Sequence, residues 1–271
     1  MNRNFYIIGF PESGKTSFIG ALGYYLISDN QDISELQLDE VNDMEYINKV
    51  ASEWAKCKKV DRTSKNVLYQ VALNLIDRQN NKIVVSLPDQ SGEMFRDIIN
   101  NRSIAEDKYA QLSDCEEVLV FINPSKIKRD ALIPEIPEMI RESATDDNIE
   151  FPNRPLMSIQ AEYVQILEYL YHIRNKRTHI KVIVSAWDMY VKDKYKEPEQ
   201  VLKDKVPLIW QFLQTNQEYF ECEYWGISAQ GGSLDTKKNQ QKLAGYADPS
   251  KRISVVNYLG KKSNDITKIL V

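Results

Sequence analysis

The sequence predicts an α/β protein in three layers: a mostly parallel six-stranded sheet with one antiparallel strand, covered by helices on both faces. Three observations predict it. Short apolar runs alternate with stretches of helix length, which favours parallel strands joined by crossover helices. Two of the runs, at residues 5–8 and 118–122, are apolar at every position, as in strands buried on both faces. The first run ends in a glycine-containing loop that opens straight into helical periodicity.

Taken in order, Phe5-Tyr6-Ile7-Ile8 is the first strand, and Phe18, Ile19, Leu22 and Leu26 recur at the spacing of one helical face. Residues 42–58 read as a second helix carrying Met44, Ile47, Val50, Ala51 and Trp54, followed by the charged stretch Lys58-Lys59-Val60-Asp61-Arg62-Thr63 as an exposed loop. Val67 to Leu73 and Ile83 to Leu87 flank Gln79-Asn80-Asn81, the turn signal of a hairpin. Further strands are expected at 118–122, 180–185 and 223–227, and a helix at about 157–174. Residues 123–155 carry Pro124, Pro134, Pro137, Pro152 and Pro155 and read as a long excursion.

A chain of 271 residues with 42% hydrophobic content can bury one substantial core, and residues 1–271 are read as a single domain. With 35 basic and 39 acidic residues the net charge is -4, so no global field draws the protein to nucleic acid or anionic lipid. Cys57, Cys115 and Cys222 lack CxxC or Cys/His spacing and are expected to be buried reduced thiols. No apolar run approaches the ~20 residues of a membrane span, and no leader segment precedes the first strand, so the cytoplasm is expected. His172 and His179 have no third ligand near them in sequence and are assigned no role. Tyr163, Tyr169 and Tyr171 accompany Ile166, Leu167 and Leu170 at helical spacing and are read as packing.

Gly9-Phe10-Pro11-Glu12-Ser13-Gly14-Lys15-Thr16 fits GxxxxGK[ST]. Each position has a physical duty. The glycines let backbone N–H groups close around phosphates, Lys15 meets the β and γ oxygens, and Thr16 supplies a hydroxyl to Mg2+. Gly9, Glu12, Ser13, Gly14, Lys15, Thr16 and Ser17 are the phosphate-binding candidates. Asp89-Gln90-Ser91-Gly92 is a DxxG after a strand, with Asp89 holding the metal and the Gly92 N–H sensing the γ-phosphate. Val184 to Asp188 closes a later strand where a guanine-reading NKxD motif would stand. Only Asp188 matches, and Trp187 is a candidate to replace the missing packing on the base. Ser228-Ala229-Gln230 resembles the SA[KL] loop, whose backbone amide contacts the base carbonyl. Thr63 is the candidate switch threonine on Mg2+, and Arg62 is a candidate for stabilising transition-state charge.

These motifs, spread over nearly the whole chain, resemble the Ras-like division of the TRAFAC P-loop GTPases. They resemble more closely the bacterial double-GTPase families of conflict and defence operons, a likeness resting on GFPESGKTSFIGAL, Arg62-Thr63, LPDQSGEMF, SAWD, GISAQGG, Arg252-Ile253 and Asp265-Ile266-Thr267. The resemblance implies GTP/GDP and Mg2+ as ligands and a switch acting on neighbouring effector or activator proteins. Ser185 and Ala186 replace the asparagine and lysine of NKxD, loosening base selection. Glu93 stands where Ras-like proteins carry a water-orienting glutamine, and a carboxylate cannot donate a hydrogen bond there, so slow hydrolysis is expected. The competing readings are a nucleotide-dependent binding module with negligible turnover and an ATP-dependent P-loop kinase or ATPase.

Overall fold

The computed structural model describes residues 3–28, 34–41, 44–58, 71–87, 93–127, 157–192 and 195–271. Thr63, Arg62, Asp89, Gly92 and most of the 123–155 excursion lie outside the described residues, as does the side chain of Glu93.

The elements run β1 (Arg3–Ile8), α1 (Lys15–Ile27), β2 (Leu36–Val41), α2 (Met44–Ala55), β3 (Val71–Asp77), β4 (Lys82–Leu87), α3 (Glu93–Asn101), α4 (Glu106–Asp114), β5 (Glu117–Ile122), α5 (Ile159–Arg174), β6 (Thr178–Ser185), α6 (Trp187–Lys192), α7 (Pro198–Lys205), α8 (Pro207–Thr215), β7 (Phe220–Ser228), α9 (Lys237–Ala244), β8 (Ser254–Val256) and β9 (Lys262–Ser263). One sheet holds all the described strands in the order β2-β3-β4-β1-β5-β6-β7-β8-β9. Pairings β4–β1–β5–β6–β7 are parallel, and β3 runs antiparallel to β4. Strands stand at the six expected places, the one expected at 67–73 being described as Val71–Asp77, with residues 67–70 outside the described residues. Three more extend the edges: β2 beyond β3, and β8 with β9 beyond β7, so the sheet is nine-stranded and its antiparallel strands are β3 and β8.

The pleat divides the core. Phe5, Ile7, Leu119 and Phe121 point to the face covered by α1 and α2, whereas Tyr6, Ile8, Val118, Val120 and Ile122 point to the face covered by α3, α4, α5, α7 and α8. This is the three-layer arrangement expected from alternating strands and helices. The β3–β4 turn forms at the expected place. Asn80 takes a left-handed φ of 60°, and the Asp77 carboxylate accepts from the backbone N–H groups of Gln79 and Asn81, both at 2.8 Å. Cys57 and Cys115 are buried free thiols, while Cys222 is only half-buried.

Candidate functional site

The loop between β1 and α1 sits where parallel strands end, the face on which open α/β sheets bind ligands. Its geometry follows from three positions. Glu12 and Gly14 are both left-handed, with φ of 64° and 99°, and this turns the loop back over itself. A Cβ on Gly14 would come within 2.8 Å of the Ser185 Cβ, and one on Gly9 within 2.5 Å of the Ser13 Oγ, so only glycine lets the backbone pass. Ser13 N–H closes the turn on Phe10 O at 3.2 Å.

Lys15 is buried, and its ammonium lies over the loop, donating to Gly9 O at 2.5 Å and to Phe10 O at 3.0 Å. The helix that follows has no side-chain cap at Gly14 and no acidic residue in its first turn. The positive end of its dipole thus faces the loop with no side-chain cap or acidic residue of its own helix upon it, and with a cation beside it, an arrangement suited to an anion. Thr16 and Ser17 form the first turn of α1, Thr16 half-buried and Ser17 exposed. The residues present fit a phosphate chain. Thr16 fits a Mg2+ ligand, and no cluster of three or more His, Cys, Asp or Glu among the described residues is placed to hold a metal.

A support that the sequence did not suggest lies beneath this loop. Tyr163 of α5, fully buried, donates its hydroxyl to Phe121 O at 2.6 Å and accepts from the Phe10 N–H at 3.4 Å, while its ring meets Phe10 edge-on at 4.7 Å. Burial pushes its phenol well above the ordinary tyrosine range. Phe95 and Arg96 of α3 approach the same Phe10 ring, and Arg96 Nε lies 3.4 Å from the nearly buried Glu162 carboxylate. Burial raises the pKa of Glu162, an effect that Arg96 opposes.

At the ends of β6 and β7, Ser228 donates its hydroxyl to Asp188 Oδ1 at 2.5 Å and accepts from the Gly231 N–H at 3.2 Å. One carboxylate oxygen of half-buried Asp188 is thereby held in place by the neighbouring loop. Ser185 packs on Gly14 and donates to Ile122 O at 3.3 Å, linking this end of the site to the phosphate loop. Ala229 is nearly buried, with its carbonyl accepting from Trp54 Nε1 at 3.2 Å, and Gln230 is half-buried.

Trp187 departs from expectation. It is 1% exposed and lies against Gly226, where an added Cβ would meet the indole at 2.5 Å, so its ring belongs to the core and offers no face to a base. The left-handed Ala186 (φ 53°) turns the chain there, sending Trp187 inward and leaving Asp188 on the outer side.

A strand, a glycine loop crossed by a buried lysine, and an uncapped helix, set in a parallel sheet of this order, define a P-loop protein of the α/β class. The chain belongs to the Double-GTPase 1 family, whose model matches residues 6–271. Among solved structures it is similar to Sup35 complexed with GDP (12% identity, 86% of this chain and 38% of that one, TM-score 0.37). It is similar also to the S. cerevisiae Ski7 GTPase-like domain bound to GTP (15%, 88% and 45%, TM-score 0.46) and to the Arl6 small GTPase from Trypanosoma brucei with bound GppNp (10%, 90% and 98%, TM-score 0.40). The chain spans less than half the length of the first two. No curated protein matches it. Among the described residues no helix is long and apolar enough to cross a membrane.

Proposed function

We propose that residues 1–271 form one unit that binds GTP with Mg2+ and hydrolyses it slowly as a conformational switch in the cytoplasm. The observation that carries this is the Lys15 ammonium lying over the loop at the start of α1, which has no side-chain cap, so that a cation and the positive end of a helix dipole converge on one point. Phosphates of the nucleotide bind there, and Thr16, Thr63 and Asp89 surround the metal. Gly92 senses the γ-phosphate, and Arg62 and Glu93 are the candidates for charge stabilisation and water placement. Asp188, oriented by Ser228, accepts from the N1–H and amine of guanine, and the Ala229 amide meets its carbonyl. Membership of the Double-GTPase 1 family supports guanine over adenine. The likeness to conflict-operon proteins extends the reading to a bacterial defence role exercised through an effector or activator protein.

The test is competition of GTP and ATP for the purified protein, followed by single-turnover phosphate release. A clear GTP preference with slow Mg2+-dependent release is the expected result, and equal ATP affinity overturns the guanine assignment. Glu93 in place of the water-orienting glutamine favours one second reading, a nucleotide-dependent binding module. It holds if GTP binds without any phosphate release.

A further inference from the structure

Trp54 and Arg252 lie outside every motif that reads nucleotide, yet they build a support directly under residues 228–231. Trp54, 1% exposed in the last turns of α2, donates its indole N–H to Ala229 O at 3.2 Å. The Arg252 guanidinium stacks on that indole, its Cζ 4.5 Å from the ring centroid. The same guanidinium donates to Trp54 O at 3.1 Å, to Leu243 O at 3.3 Å and to Cys57 Sγ. Cys57, left-handed at φ 55° just beyond α2, in turn lies 3.6 Å from Gln230 Nε2. On the other side of the loop, Gly231 sits so close over Arg252 that a Cβ would come within 2.7 Å of the Arg252 carbonyl oxygen. Arg252 is 4% exposed although charged, and its fork is spent almost wholly on main-chain carbonyls of two helices.

We propose that Trp54 and Arg252 are positioning residues that set the height of loop 228–231, and through it the contact between the Ala229 amide and the 6-carbonyl of guanine. This rests on the reading of that loop as the base-reading segment. Ser228 fixes the loop from the Asp188 side, and the indole fixes the adjacent peptide from below, so the loop is held at two consecutive residues. Trp54 therefore acts on selection at the 6 position, whereas Asp188 acts at N1 and the amine.

The two effects separate by nucleotide. Trp54→Phe keeps a ring under Arg252 and removes the donor to Ala229 O along with part of the indole's bulk, so GTP affinity should fall about threefold to tenfold, the range of one neutral hydrogen bond. Binding of 6-thio-GTP, a poor acceptor at that position, should change by less than about twofold, and the GTP/ITP ratio, which reports the amine contact, should stay as in wild type. Arg252→Lys keeps the charge and loses the fork. It should show the same pattern, and it decides the matter if thermal unfolding finds Trp54→Phe unfolded. Equal losses for GTP and 6-thio-GTP, or no loss for GTP, overturn the positioning role. A wild-type protein that does not prefer GTP to ATP overturns the base site itself, and is seen before any variant is made.

Discussion

At the scale of single residues, Lys15 and Asp188 carry the sharpest consequences. Lys15→Ala removes a cation lying over the phosphate loop, and charge-assisted bonds are worth roughly 1.5–3 kcal/mol, so triphosphate affinity should drop by about tenfold or more. Calorimetric titration with a non-hydrolysable GTP analogue checks this, and wild-type affinity would remove the loop from the site. Asp188→Asn exchanges one acceptor for a donor. The variant should lose GTP and bind XTP better, because xanthine presents a carbonyl where guanine has its amine. Ser228 complicates the swap in a readable way. If the amide oxygen keeps the Oδ1 place, the hydroxyl goes on donating to it and holds the amide nitrogen at the other place; if the nitrogen takes it, the hydroxyl must rotate to accept, so adding Ser228→Ala to Asp188→Asn should change the size of the inversion. An unchanged GTP/XTP ratio in Asp188→Asn would place the base elsewhere. The loop was legible in sequence because chemistry fixes each of its positions. Trp187 was misread because adjacency to Asp188 says nothing about direction, and a single left-handed residue, Ala186, sends it inward.

At the scale of elements, α3 and α5 meet over Phe10. Tyr163→Phe keeps the packing and deletes the hydroxyl that bridges the Phe10 N–H and the Phe121 carbonyl, which should lower stability by about 1–2 kcal/mol with both groups left in a dry interior. The midpoint of urea unfolding reads this directly, and an unshifted midpoint would mean that the bridge contributes nothing. Because Phe95 and Arg96 rest on the same ring, α3 is mechanically joined to the phosphate loop. Residues 93–102 should gain protection from hydrogen exchange when a non-hydrolysable GTP analogue and Mg2+ replace GDP. Equal protection in both states would leave no switch. The central strands were legible because each holds an apolar stretch, unbroken in Phe5–Ile8 and Val118–Ile122 and interrupted only singly in Ile180–Val184, whereas β2 was not. Leu36-Gln37-Leu38-Asp39-Glu40-Val41 is an edge strand whose acidic residues need not be buried, and it acquires its shape only by pairing with β3. Helix α4 lacked a signal for a similar reason: it buries only Leu112, so its periodicity is weak.

Across the whole molecule, the end of the sheet away from the phosphate loop is closed by a charge cluster that no motif announced. Arg3 and Glu117 stand at the first positions of β1 and β5 and His179 at the second of β6, and Lys181 and Glu223 lie just behind them. Glu117 pairs with Arg3 and lies 3.3 Å from His179 Nδ1 and 3.1 Å from Lys181 Nζ, while His179 Nε2 lies 3.6 Å from Glu223. Lys181 and Arg3 also donate to the carbonyls of Ile269 and Leu270, so the cluster clasps the short 3-10 segment Ile266–Leu270, whose apolar side chains fill the core against α1. His179 carried no sequence signal, because this cluster is assembled from strands far apart in the chain.

Its pH dependence has a definite sign. The contact with Glu117, and then that with Glu223, hold the His179 pKa up at about 9 against the effect of burial. Burial alone would raise Glu117, but His179, Lys181 and Arg3 together overcome it and hold the carboxyl down at about 2. A raised histidine stabilises fully below its unfolded pKa of 6.5, and the benefit is lost as pH climbs through about 9. A depressed carboxylate stabilises above 4.5 and loses its effect as pH falls toward 2. Stability should therefore be flat between about pH 4.5 and 6.5, the interval between the two ordinary pKa values, and decline on either side. On the alkaline side the loss is set by His179. Its side chain is 29% exposed, so we expect on the order of 1 kcal/mol after solvent screening, a fall in Tm of about 2–4 °C between pH 6.5 and 9.5. In His179→Gln that fall should largely vanish: the variant should melt below wild type at pH 6 and close to it at pH 10. Thermal unfolding of both proteins across this range is the measurement, and parallel pH profiles for the two would remove His179 from the clasp.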